Sequence, residues 1–120
     1  TAAPSSSEGL RGLAVVRGRV RGPVKRVVDA TDAVGVPGCV LVCPRTDPGF
    51  VALFAGAKAL VVERGSPLSH CAIVARELGL PTIVNVVGVV DAVADGDVVD
   101  VDADAGVVSV VSRRQAQVAA

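Results

Sequence analysis

Ala59-Leu60-Val61-Val62-Glu63-Arg64-Gly65-Ser66-Pro67-Leu68-Ser69-His70-Cys71-Ala72-Ile73-Val74-Ala75-Arg76-Glu77-Leu78-Gly79-Leu80-Pro81-Thr82-Ile83-Val84 reads as strand, loop, helix and strand. Ala59–Glu63 is a short apolar run that suits a buried strand. The loop Arg64–Leu68 follows. Ser69 is placed to cap a helix, Gly79 to end it in the left-handed conformation, and Pro81 to block its continuation. Ser66-Pro67 offers a second start one turn earlier. Ile73, Val74 and Leu78 give the helix an apolar face, and Arg76 and Glu77 are its charged members. Thr82–Val84 is a short strand.

Outward from this stretch the pattern continues. Leu13–Val20 and Val24–Asp29 are Val-rich and read as two strands around a turn at Arg21-Gly22-Pro23. Cys39–Cys43 is an apolar run bounded by Pro37-Gly38 and Pro44, again a buried strand. In Arg45-Thr46-Asp47-Pro48-Gly49, Asp47 suits an N-cap and Pro48 the first helical position. Gly88–Ala94 suits one or two helical turns. Asp97–Val101 and Val107–Val111 flank Asp102-Ala103-Asp104-Ala105-Gly106, a hairpin signal with Gly at the turn's exit. Arg17, Arg19 and Arg21 alternate as one exposed strand face does. Asp100, Asp102 and Asp104 fit a half-exposed hairpin better than a calcium loop. Interleaved strands and few helices predict an α/β domain with mixed sheets packed in layers.

Composition narrows the function classes. A chain of 120 residues, 51% of them hydrophobic, has room for one domain with a real core. Aromatic residues make up only 2%, with no Trp or Tyr, which argues against the stacking platforms of single-stranded nucleic-acid binders. Twelve basic and twelve acidic residues cancel, so no electrostatic footprint for DNA or RNA is present. No run of about 18 uncharged apolar residues suggests a membrane span, and no secretory signal is evident. Cys39, Cys43 and Cys71 with one histidine match no zinc pattern, and no metal site is expected. They read as buried reduced thiols of a cytoplasmic protein. Residues 1–12 read as a linker, 13–111 as the domain and 112–120 as a tail. The chain therefore reads as a domain excised from a longer protein, with a neighbouring domain upstream.

His70 is the single histidine. Imidazole can be a neutral nucleophile near neutral pH. Beside a helix N-terminus the dipole disfavours imidazolium, and the backbone N–H groups there can hold phosphoryl oxygens. Ser69 can add a hydroxyl donor. Thr46 and Asp47, at the preceding strand–helix junction, are the candidates to orient the other ring nitrogen. Arg45 stands at the strand end facing the same site. On spacing alone, a histidine at a helix start is an ordinary surface or capping residue. No G-x-x-x-x-G-K-[ST] loop is present, so the domain has no phosphate loop with which to draw phosphate from a nucleotide.

Arg45-Thr46-Asp47-Pro48-Gly49 and the run from Ser69-His70-Cys71 to Gly79-Leu80-Pro81 resemble the phosphohistidine, or mobile, domain of phosphoenolpyruvate-utilising enzymes. Asp95-Gly96-Asp97 and Asp104–Val108 fit that family's closing hairpin, so the resemblance spans Leu13 to Val111. It implies a layered, swivelling β/β/α fold. It implies that His70 accepts a phosphoryl group in a nucleotide- or PEP-binding site and that the domain swings to deliver it to a second site. It places Mg2+ and ATP or PEP in partner domains, with no cofactor in this one, and it implies ATP-binding and acceptor-binding domains as partners. Gly65 is a further candidate for orienting phosphate, standing where many relatives have a glycine pair; here Ser66-Pro67 follows it. Leu68 stands where several relatives have Thr, and Cys71 where a small residue is commoner. The altered loop motivates an alternative, a non-catalytic binding module that retains the fold. A swivelling domain of the aconitase type is a third reading, against which the match around His70 argues.

Overall fold

A computed structural model describes residues 9–28, 38–46, 48–66 and 68–112. Eight strands form one continuous sheet in the order β1-β8-β7-β3-β4-β5-β6-β2. In chain order they are β1 (Leu10–Arg11), β2 (Leu13–Val16), β3 (Arg19–Arg26), β4 (Val40–Cys43), β5 (Ala59–Val62), β6 (Thr82–Val84), β7 (Val98–Asp102) and β8 (Val107–Ser112). A 3-10 turn at Pro48–Phe50 leads into helix α1 (Val51–Phe54); α2 spans His70–Leu78 and α3 spans Val89–Ala92.

Strands β3, β4, β5 and β6 run parallel, while β7 and β8 form an antiparallel hairpin. The two central strands are buried on both faces, which is why β4 reads Val-Leu-Val-Cys and β5 Ala-Leu-Val-Val without polar alternation. The period of two still sorts their side chains. Val40, Val42, Ala59 and Val61 pack on one side with Val99, Val101 and Val108 of the hairpin. Leu41, Cys43, Leu60 and Val62 pack on the other with Phe50, Phe54, Cys71 and Ala75 of the helical layer. Hairpin sheet, parallel sheet and helices thus stack as the layered β/β/α α/β fold that the sequence implies.

Two expectations are corrected. Arg21-Gly22-Pro23 is not a turn: it lies inside β3, whose first half pairs antiparallel with β7 up to Pro23↔Val98 and whose second half pairs parallel with β4 from Val24↔Val40. The break falls earlier, at Arg17 and Gly18, where Gly18 has φ 144. The apolar face of α2 is also different. Cys71, Ala72 and Ala75 are buried, whereas Ile73 and Leu78 are 43% and 52% exposed. Small side chains let the helix lie close to the sheet, so Ile73 and Leu78 face out while Val74, as expected, packs half-buried against the core. Among the described residues, strand structure begins at Leu10, paired with Val108, and β8 runs through Ser112. β1 thus precedes position 13, which opens β2, and position 111 lies within β8. Asp47, Pro67 and the expected strand end at Asp29 lie outside the described residues.

Candidate functional site

Parallel register brings the C-terminal ends of β4, β5 and β6 side by side. In an open parallel sheet this edge is where ligand-binding loops gather. Here the loop after β4 carries Arg45 and Thr46, the loop after β5 carries Gly65, Ser66 and Ser69, and the turn after β6 carries Asn85. The three exits are tied together. Glu63 and Arg64 N–H groups donate to the Cys43 and Pro44 carbonyls at 2.9 and 3.0 Å. On the other side Val86 N–H donates to the Val62 carbonyl at 3.1 Å, and Gly65 N–H donates to Asn85 Oδ1 at 3.1 Å.

Helix α2 starts as its sequence predicts. Ser69 takes an extended conformation (φ −69, ψ 159) and its Oγ accepts from the Ala72 N–H at 3.1 Å. Gly79, at φ 69, closes the other end. The competing signal at Ser66 builds a turn ahead of the helix: its Oγ accepts from Leu68 N–H at 3.0 Å and its carbonyl from Ser69 N–H at 3.1 Å. No acidic residue occupies the first turn of α2, and Arg76 lies in the last, so the helix's partial charges leave its start favourable to an anion. His70 is the first helical residue and is exposed. Burial of Cys71 and Ala75 fixes the helix's rotation, with His70 turned roughly 100° away from Cys71.

Beneath the helix start lies a cavity of about 10 Å³, lined by Thr46, Gly65, Ser69, Cys71, Ala72 and Thr82 among apolar neighbours. It is of the order of one water molecule. Thr46, Gly65 and Ser69, three residues singled out in the sequence, therefore meet at one place. Arg45 is exposed on the Thr46 loop, outside that lining. Three contributors escaped the sequence reading. Thr82 is buried with its hydroxyl donating to the Leu80 carbonyl at 2.7 Å. Glu63 Oε1 accepts from Val90 N–H at 3.2 Å and so ties the β5 exit to α3. Asn85 holds Gly65; its signal was a polar, turn-tolerant residue interrupting the apolar run Thr82–Val87.

Cys43 and Cys71 are buried thiols and Cys39 a half-buried one. Burial, and secondarily the neighbouring Cys71, pushes the Cys43 thiol up to about 12. Cys43 is thereby kept neutral and unreactive. Among the described residues no group of three His, Cys, Asp or Glu side chains is placed to hold a metal ion. Nor is any described helix long and apolar enough to cross a membrane.

Residues 35–106 match the family model for the PEP-utilising enzyme, mobile domain. An uncharacterised phosphotransferase of Bacillus subtilis is 42% identical over 103 residues, covering 85% of this chain and 12% of that protein. A rifampicin phosphotransferase of Bacillus cereus is 36% identical over 104 residues, covering 87% of this chain and 12% of that protein. The chain thus spans about an eighth of the length of these relatives. Among solved structures, aconitase X of Thermococcus kodakaraensis superimposes with a TM-score of 0.66 at 25% identity, covering 87% of this chain and 98% of that one. The Enzyme I fragment nEIt gives a TM-score of 0.55 at 29% identity, covering 64% of this chain and 32% of that one. The layered architecture is shared with aconitase X, but the sequence relationship runs to phosphotransferases over nearly the whole chain. On that family match and those identities, the chain belongs to the mobile domain family of PEP-utilising enzymes.

Proposed function

We propose that this domain is a phosphohistidine carrier in which His70 shuttles a phosphoryl group between two active sites of a larger phosphotransferase. The observation that carries this reading is the placement of an exposed imidazole at the capped start of α2, on the edge of the parallel sheet where three loops converge. A ring nitrogen of His70 attacks the donor phosphorus in line. The N–P bond forms as the donor's P–O bond breaks, and the electron pair leaves on the donor oxygen. That oxygen belongs to the remaining nucleotide phosphate if the donor is ATP, or to the pyruvate enolate if it is PEP. At the second site an acceptor oxygen attacks the same phosphorus and the N–P bond breaks, returning the imidazole.

The supporting residues have separable tasks. Ser69 and the first-turn N–H groups of α2 hold phosphoryl oxygens. Thr46, with Asp47 by its place in the sequence, orients the second ring nitrogen. Gly65 lets the loop backbone come close, and Arg45 adds positive charge at the rim. ATP- and acceptor-binding partner domains supply donor, Mg2+ and acceptor.

The test is phosphorylation of the intact protein with ATP or with PEP, followed by mass spectrometry under conditions that preserve acid-labile phosphate. Phosphate is expected on His70 and absent from His70→Ala. Label that survives His70→Ala sinks the assignment.

A further inference from the structure

Asn85 is the one non-glycine among the described residues with a positive φ, at 60. A left-handed backbone costs any residue with a Cβ, and asparagine bears it better than most because its short amide bonds locally. Here the amide does not serve its own turn. It reaches from the exit of β6 to the exit of β5, where Oδ1 accepts the Gly65 N–H at 3.1 Å. That bond is the last of a series. The N–H groups of Glu63 and Arg64 are taken by the β4 exit, and Gly65, next in line, is taken by Asn85. Gly65 lies against the ends of β5 and β6 closely enough that a Cβ on it would sit 3.3 Å from Val62 Cγ1 and 3.5 Å from Val84 Cβ. From Gly65 onward the chain holds itself through Ser66 and then through the Ser69 cap.

We propose that Asn85 is a positioning residue for phosphoryl transfer. By holding Gly65 it anchors the loop that delivers Ser69 and His70, so that the imidazole meets the donor in line. The proposal rests on His70 being the carrier. Asn85 need not touch the phosphoryl group; it acts through the loop, and strain of this kind persists where the surrounding structure uses it.

Asn85→Gly keeps the positive φ at no steric cost and removes only the acceptor. In the intact protein with saturating ATP or PEP, the single-turnover rate of His70 phosphorylation falls about tenfold, the scale at which small misplacements act. The donor concentration at half-maximal rate and the thermal midpoint stay unchanged. Amide exchange at Gly65 accelerates, and Asn85→Asp, which retains an oxygen acceptor, restores Gly65 protection. A wild-type transfer rate in Asn85→Gly overturns the proposal, as does unchanged exchange at Gly65. So does a rate loss that merely follows a lowered thermal midpoint. A wild-type protein that takes no phosphate on His70 overturns the carrier reading itself and this one with it. Normal wild-type labelling with an equal Asn85→Gly rate overturns only the role of Asn85.

Discussion

The two faces of the parallel sheet are packed in different ways. Against the hairpin, the core is almost entirely valine and alanine, with Val24, Val40, Val42, Val61, Val99, Val101 and Val108 each contributing a similar small volume. Against the helices, both phenylalanines of the chain, Phe50 and Phe54, fill the space together with Leu41 and Leu60, while α2 supplies the buried Cys71 and Ala75 and the half-buried Val74. The first face is therefore filled by many side chains of similar small size, and the second mixes small ones with a few large ones. The face with the large side chains is the one on which the His70 helix packs. Helix α2 sits on it through Cys71, Val74 and Ala75 and keeps Ile73 and Leu78 outside.

That contrast can be broken by single substitutions read by urea unfolding. Phe54→Ala, at a site 1% exposed, costs the most, about 4 kcal/mol. Val101→Ala on the hairpin face costs about 2 kcal/mol, because less volume is lost and neighbours of the same size surround it. If the two costs are equal, the asymmetry between the faces is wrong. A pH series probes the helix face differently. The folded-state value of Cys43 lies above its ordinary 9.0, so the fold retains a proton that the unfolded chain releases. Its contribution is fully present below pH 9.0 and is lost as pH rises toward about 12. The slope is about 1.4 kcal/mol per pH unit. Cys43→Ala flattens that alkaline slope, and a slope that persists in the variant assigns it elsewhere.

Smaller effects sharpen the picture of α2. Ser69→Ala removes the cap on the Ala72 N–H and costs about 1 kcal/mol. Circular dichroism with thermal melting reads that loss, and an unchanged melt discounts the cap. Leu78→Ala, at a residue 52% exposed, changes stability by less than about 0.5 kcal/mol. A loss of several times that size places Leu78 in the core after all.

Much of this architecture was legible in the sequence because local chemistry and tertiary position agree. Ser69, Gly79 and Pro81 delimit α2, Pro48 opens the helical turn before α1, and Gly106 closes the β7–β8 turn at φ 75. Where the reading failed, a long-range partner outweighed a local signal. Gly22-Pro23 punctuates a sequence, yet here it marks where one strand exchanges β7 for β4 as its neighbour; Pro23 holds the last antiparallel pair, so its missing N–H interrupts little. On α2, Val74 packs inward as its apolar character implies, but Ile73 and Leu78 do not, because close approach to the sheet selects Cys71, Ala72 and Ala75. At the site, Thr46, Gly65 and Ser69 were visible as loop and cap residues, and the cavity brings them together. Asn85 and Glu63 were not, because their partners, Gly65 and Val90, lie 20 and 27 residues away along the chain.

Strand β3 belongs to both the hairpin layer and the parallel layer. Two sheets joined by a loop can slide over one another; two sheets that share a backbone cannot part without breaking a strand. Arg26 adds a rivet at the far end of that strand, its N–H on Asp95 Oδ1 at 2.7 Å and its guanidinium on the Val90 carbonyl at 3.1 Å. For the carrier proposed above, such a spine has a mechanical consequence. On that reading, a strand shared by both layers holds the loops around His70 in one orientation relative to the hairpin.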